Sequence, residues 1–244
     1  GTDGWRAIIA KEYTVENVAR VTIAVAEWLK KNYAKPVVTI GHDCRFAGEL
    51  FTETAIKVFV HSGVKVITTN KGFVSTPMIS FGTVQLKADL GVVITASHNP
   101  YHDNGIKVFY KGEKLSITQE LKIEEFLDSH RDFQVERVGK IKEGKDVYAE
   151  YIEMIQGLNL HSISLKVGYD SAHGANYLIS KAIMDQMAKE SYQIGANPDG
   201  KNINNGFGST HIEAIQALVK EKKLDIGLSY DGDGDRILIV DGDG

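Results

Sequence analysis

Asp231, Asp233 and Asp235 stand at i, i+2 and i+4 in the stretch DGDGDR, and the two glycines between them let the backbone turn so that three carboxylates converge. Three hard oxygen donors suit Mg2+, which keeps several of its waters and often binds a phosphate as well. The competing reading is a solvated acidic turn. The terminal Asp241 to Gly244 is read that way, whereas the arginine and the apolar run that follow Asp235 favour a metal. A calcium EF-hand loop fails on two positions, because Arg236 stands where its glycine belongs and Gly242 where its glutamate belongs. The second chemical stretch is TASHNP, Thr95 to Pro100, which puts Ser97 beside His98. The nucleophile elbow G-x-S-x-G is absent, since Thr95 and Asn99 flank the serine. Neighbouring side chains of an extended segment also point apart, so His98 is poorly placed to deprotonate Ser97. Zinc at His98 and His102 is opposed by Pro100, which disfavours the helical turn that would pair them. Lys107, in NGIKVF, is either a lysine brought to the Ser97 loop by a returning strand or an exposed strand lysine. Arg6, in GTDGWRA, either cradles a phosphate from a glycine-rich turn or decorates a loop.

The elements that must position these residues alternate. Val15, Val18, Thr22, Val25 and Leu29 keep helical spacing, with Thr14 as the cap and Tyr13 and Val18 at the two staple positions. Then follow VVTIG, a helical stretch ending at Gly63, VKVITTN, a helix after Pro77, and LGVVIT leading into TASHNP. A helix containing Leu121 and Phe126 gives way to a polar stretch from about Arg131 to Lys145, where a domain boundary is placed. The alternation then resumes with ISLKVGYD as strand, a helix from Tyr177 to Lys189, and a polar loop. A helix opened by a Thr210/Glu213 capping box comes next, and LDIGLSY runs as a strand into DGDGDR. The predicted fold class is α/β, with two consecutive α/β/α layered domains of mixed, mainly parallel sheets, residues 1–138 and 139–244. Ligands of such layers bind beyond the carboxyl ends of the strands, where both Ser97 and the aspartates fall.

Composition narrows the partners. The 244 residues are 43% hydrophobic and 25% charged with a net charge of -4, and no basic stripe of the kind that nucleic acid requires is present. Apolar runs such as Val92 to Ile94 fall far short of the roughly 18 residues that span a bilayer, so no membrane partner is expected. The single cysteine, Cys44, makes no internal disulfide, and a cytoplasmic location is the default. The chain opens at Gly1 and stops in DGDG just after a strand-like run, which reads as a piece of something longer.

Taken together and in order, GTDGWRA, GHDCR, TASHNPYHDNGIKVF, PDGKNIN with GSTH, and DGDGDR resemble the α-D-phosphohexomutases, over essentially the whole chain. That resemblance implies that Ser97 carries the transferable phosphoryl group. It implies that Asp231, Asp233 and Asp235 bind Mg2+ together with the phosphate on Ser97, and that Arg6 and Arg236 are active-site arginines. Lys107 would be the general acid or base, with His98 close to the transferred group. The implied substrate is a hexose phosphate, interconverted between its 1- and 6-phosphates through a bisphosphorylated sugar. The implied partners are the third and fourth domains of the same protein, which carry sugar and phosphate recognition and are not in this segment. Without them the segment is expected to be inactive. NIN and GSTH lean toward the phosphoglucosamine branch, whereas the tryptophan and alanine of GTDGWRA lean toward glucose and mannose, which are favoured here.

The charges agree with this assignment. Three carboxylates and a phosphoserine carry about five negative charges at neutral pH, and phosphoryl transfer asks for positioning and neutralisation more than covalent chemistry. A metal, Arg6, Lys107 and Arg236 would supply the balance, with Lys107 accepting a proton if burial or neighbouring cations lower its pKa. Two other classes stay open: a non-catalytic module that binds a divalent metal or phosphate, and a metal-dependent hydrolase.

Overall fold

The computed structural model describes residues 4–69, 72–129, 139–142, 147–158 and 160–244. Two sheets are built. The first takes β1 (Trp5–Ile8), β2 (Val37–His42), β3 (Lys65–Ile67), β4 (Leu90–Ile94), β5 (Asp103–Tyr110) and β6 (Glu113–Lys114), in the order β1-β5-β4-β2-β3 with β6 on β5. Strands β4, β2 and β3 are parallel; β5 is antiparallel to β4, β1 and β6. Helices α1 (Val15–Asn32), α2 (Gly48–His61), α3 (Thr76–Gln85) and α4 (Ile117–Ser129) complete this half.

Every residue of β4 is buried, which fits a central strand covered on both faces. Its side chains alternate accordingly. Leu90, Val92 and Ile94 join the core formed with α1 and α2, while Val93 joins Met78 and Ile79 of α3 on the other face. Thr14 caps α1, its Oγ1 accepting from the Asn17 amide at 3.2 Å, and Tyr13 and Val18 are both fully buried. Helix α5 (Val147–Gly157) also packs on the α3 face, with Val147 buried in that core.

The second sheet takes β7 (Ile163–Asp170), β8 (Ala188–Ile194), β9 (Ile226–Tyr230) and β10 (Ile237–Asp241), in the order β10-β9-β7-β8. Only β10 runs antiparallel, against β9. Helices α6 (Tyr177–Met187) and α7 (Glu213–Lys222) connect it. Ile215 and Val219 of α7 pack with Leu224 and Val240. The division drawn at 138/139 falls beside residues 130–138, which lie outside the described residues; the Gly139 N–H donates to the Val60 carbonyl of α2, and Lys140 and Lys142 bond Val66 of β3.

Three local expectations are corrected. The helix from Tyr177 stops at Met187, because Ala188 turns extended (φ -82°, ψ 142°) and Lys189 enters β8, whose pairing with β7 overrides the helix propensity of both residues. The Thr210/Glu213 capping box does not form. Helix α7 starts at Glu213 behind Ile212, whose side chain offers no cap, so Glu213 is the first helical residue rather than the third. Finally, the GTDGWRA segment is not all loop: Arg6 lies in β1, paired with Gly105 of β5.

Among the described residues no helix is long and apolar enough to cross a membrane.

Candidate active site

The carboxyl ends of β2, β4, β7 and β9 deliver the polar loops. Antiparallel β5 returns past the β4 loop, and the register Val93↔Lys107 sets Lys107 behind it. Ser97 is fully buried and adopts φ +55°, the left-handed region that a serine enters only when its surroundings fix it there, at a cost of about 1–3 kcal/mol. The segment is therefore not extended as the sequence reading assumed. The Ser97 hydroxyl donates to Asp231 Oδ2 at 2.8 Å, from a residue 134 positions away.

Asp231 and Asp233 are fully buried, and Asp235 keeps 24% of its side chain exposed. Carboxylate oxygens of the three lie within 4.8 Å of one another. Burial, then the charges of Asp233 and Asp235, push the Asp231 carboxyl up to about 7. Burial alone would raise Asp233 too, but the ammonium of Lys107 and the hydroxyl of Thr76 outweigh it and hold Asp233 below the usual range. Asp233 Oδ2 accepts from Lys107 Nζ and Thr76 Oγ1, both at 2.6 Å, while its Oδ1 is buried without a hydrogen-bond partner. An orphaned carboxylate oxygen among converging carboxylates is what a hard divalent cation satisfies, so the residues present fit such an ion.

Lys107 is 2% exposed and donates to Asp235 Oδ2 at 2.7 Å as well as to Asp233. Burial works against its charge, yet the two carboxylates prevail and its pKa is raised. The lowered value expected for a base is corrected on this point: here Lys107 is an ammonium held by two anions.

His98 is half-buried and its Nδ1 has no hydrogen-bond partner. Burial, then the positive charges of Arg236 and Arg6, lower its pKa, which keeps the imidazole neutral near the site. Arg6 Nη1 donates to Asn99 Oδ1 at 3.3 Å, on the Ser97 loop, and its Nε is buried without a partner. Arg236 lies at the rim with 53% of its side chain exposed; its backbone N–H donates to Asp231 Oδ1 at 3.1 Å. Ser97, Lys107 and the three aspartates thus form one web, with Arg6, His98 and Arg236 around it.

Sequence reasoning passed over several residues that build this web. Thr76, at the start of α3, reaches the acidic loop through its hydroxyl and its backbone N–H. Asn204 Nδ2 donates to the Ser97 carbonyl at 2.9 Å. Asp43 and Arg45 are a buried ion pair at 2.9 Å. The available signal was an aspartate and an arginine two apart at a strand's carboxyl end, in GHDCR.

Gly232 marks how closely the two loops meet. A Cβ there would lie 2.8 Å from the Ser97 carbonyl oxygen and 2.7 Å from Asn204 Nδ2. Gly232→Ala is expected to part the loops, costing about 1–3 kcal/mol in a urea melt and about 10²-fold in the turnover of the full-length protein.

Residues 1–133 match the family described as phosphoglucomutase/phosphomannomutase, alpha/beta/alpha domain I, and residues 147–244 match its domain II. The chain belongs to the phosphoglucomutase/phosphomannomutase family. Among curated members, it is 39% identical over 252 residues to the phosphoglucosamine mutase of Anoxybacillus flavithermus and 41% identical over 253 residues to that of Xanthomonas campestris pv. campestris. Both alignments cover 100% of this chain and 56% of the relative, so the chain spans about half the length of the mutases it matches. The fold agrees with solved structures of the family. A phosphoglucomutase/phosphomannomutase family protein from Burkholderia thailandensis superposes with a TM-score of 0.84 at 22% identity, over 99% of this chain and 54% of that one. Parafusin, a phosphoglucomutase from Paramecium, superposes with a TM-score of 0.73 at 19% identity, over 100% of this chain and 52% of that one.

Proposed function

We propose that this chain supplies the phosphoryl-carrying and metal-binding half of a phosphohexomutase whose substrate is a glucosamine phosphate. The observation that carries the reading is the hydrogen bond from Ser97 to Asp231, which joins the buried serine hydroxyl of TASHNP to the acidic trio. The preference for glucose and mannose is given up in favour of its alternative. The curated relatives named above are phosphoglucosamine mutases, and the residues behind the other preference face the core. Trp5 stacks on Tyr13 with ring centroids 4.9 Å apart, and both Trp5 and Ala7 pack against the α1 core. Their identity answers to packing, not to a sugar.

In this reading Asp231, Asp233 and Asp235 hold Mg2+, which when bound neutralises charge on the phosphate and on the departing serine oxygen. A hydroxyl of the sugar phosphate forms a new bond to phosphorus; the bond from phosphorus to Ser97 Oγ breaks and its electron pair stays on the oxygen. In this reading Lys107, held as an ammonium by Asp233 and Asp235, gives its proton to the departing oxygen and, once it has done so, takes the proton of the attacking hydroxyl. Arg6 and Arg236 lend positive charge to the phosphate, and neutral His98 offers a ring nitrogen beside it. The same serine then takes the other phosphate of the bisphosphorylated sugar, and the isomer is released. Sugar recognition belongs to the remaining domains of the whole protein, so the 244-residue chain alone is expected not to turn over.

Competition among glucosamine, glucose and mannose phosphates on the full-length protein tests the reading. The glucosamine substrate should lead in kcat/KM by about tenfold or more, equivalent to about 1.4 kcal/mol of differential transition-state binding. Equal or better turnover of glucose or mannose phosphate would overturn the sugar assignment. Release of inorganic phosphate faster than isomer formation would overturn the mutase.

A further inference from the structure

Both peptide groups that flank the Ser97 side chain are tied to one buried ion pair. Asp43 and Arg45 follow β2 and are 0% and 2% exposed. Arg45 Nε donates to Asp43 Oδ2 at 2.9 Å, and the Arg45 backbone N–H donates to Asp43 Oδ1 at 3.0 Å. On the amino side of the serine, the Ser97 N–H donates to Thr95 Oγ1 at 2.8 Å, and that hydroxyl donates onward to Asp43 Oδ2. On the carboxyl side, Arg45 Nη2 donates to the Ser97 carbonyl at 2.8 Å. The bonds close into a ring that begins and ends on Ser97. Arg45 Nη1 donates further to the carbonyls of Pro100 and Asp103, at 3.1 and 2.8 Å, and so pins the far end of the loop.

We propose that Arg45, oriented by Asp43, is a positioning residue that holds Ser97 aimed at the acidic trio through both phosphoryl transfers. The inference rests on the mutase reading, in which the serine gives its phosphate to one sugar oxygen, takes another phosphate from a second, and must keep its place between the two transfers. Only a guanidinium offers donors in a rigid planar fork that reaches a carboxylate and several carbonyls together; a lysine ammonium is one point with three donors. Burial of an ion pair is by itself weak evidence for stability, since apolar residues can fill the same space. What this pair adds is a fixed orientation for a serine at φ +55°. Asn204 reinforces it by donating to the same carbonyl from the second unit.

The test uses the full-length protein carrying Arg45→Lys, which keeps the charge beside Asp43 but loses the fork. A second variant, Thr95→Val, opens the ring on its other side with a side chain of similar shape. Each is expected to lower kcat by about 10²-fold, the effect of misplacing a reacting group by about 1 Å, with KM for the sugar phosphate within about twofold of wild type. A merely structural role would lower the melting temperature and leave kcat per folded molecule unchanged. Folded variants that keep kcat within about threefold of wild type overturn the inference. If Arg45→Lys does not fold, Thr95→Val decides on the same criterion. A wild-type protein that isomerises no hexose phosphate overturns the mutase reading itself, and is told apart from failure of the inference because it needs no variant.

Discussion

Ser97→Ala in the full-length protein is expected to lose phosphoryl transfer by roughly 10⁴-fold or more while folding as the wild type does. The phosphoryl group would have no oxygen to return to, and neither His98 nor Thr95 stands in for it: Thr95 Oγ1 is engaged between the Ser97 amide and Asp43. Alanine keeps the Cβ that already occupies the left-handed position, so the backbone cost at φ +55° is unchanged. The loss is one hydrogen bond to Asp231, about 1 kcal/mol. A coupled turnover assay paired with a urea melt separates the two quantities. Near-normal turnover of Ser97→Ala would remove the serine from the mechanism, and a collapsed melt would make it a folding residue.

Asp233→Asn is the second large effect, and it acts on three partners at once. The orphaned Oδ1 ceases to be a carboxylate oxygen, so affinity for a divalent cation should fall by about 10²-fold or more in a titration with Mg2+ or Mn2+. Lys107 keeps Asp235 and retains an amide oxygen to donate to, so the stability loss without metal is held to about 1–3 kcal/mol. Asp231 loses one of the two charges that push its carboxyl up to about 7, and its pKa moves down toward the ordinary carboxylate value. Cation affinity unchanged by the substitution would remove Asp233 from the ligand set, and a wild-type protein with no measurable affinity would leave the trio an ion-paired acidic loop and nothing more.

The sequence carried the layout of the site better than its internal chemistry. The apolar run of β4 and the return of β5 were readable from β-branched patterning, and they brought Lys107 to the Ser97 loop. The clustering of DGDGDR was readable because two glycines at alternating positions leave few other shapes. What could not be read was anything set by a distant partner. The extended geometry assumed for Ser97 gives way to a left-handed one because the Thr95 hydroxyl and the Arg45 guanidinium hold its two peptide groups. The pKa of Lys107 rises rather than falls because Asp233 and Asp235, 126 and 128 residues away, close on it. Strand β8 takes Ala188 and Lys189 from the helix for the same reason, since the strand beside them begins at Ile163. Arg45 was visible only as a letter in GHDCR; its reach to the carbonyls of Ser97, Pro100 and Asp103 depends on β2 and β4 lying side by side.

The most direct measurement is peptide-mapped intact mass of the full-length protein before and after mixing with glucosamine 6-phosphate. The account predicts one phosphate on Ser97 that, if labelled with heavy oxygen, passes to the sugar within a turnover while an unlabelled phosphate from the sugar returns to the serine. A phosphate found elsewhere, or a label that stays on Ser97 while the sugar phosphate is isomerised, would contradict it.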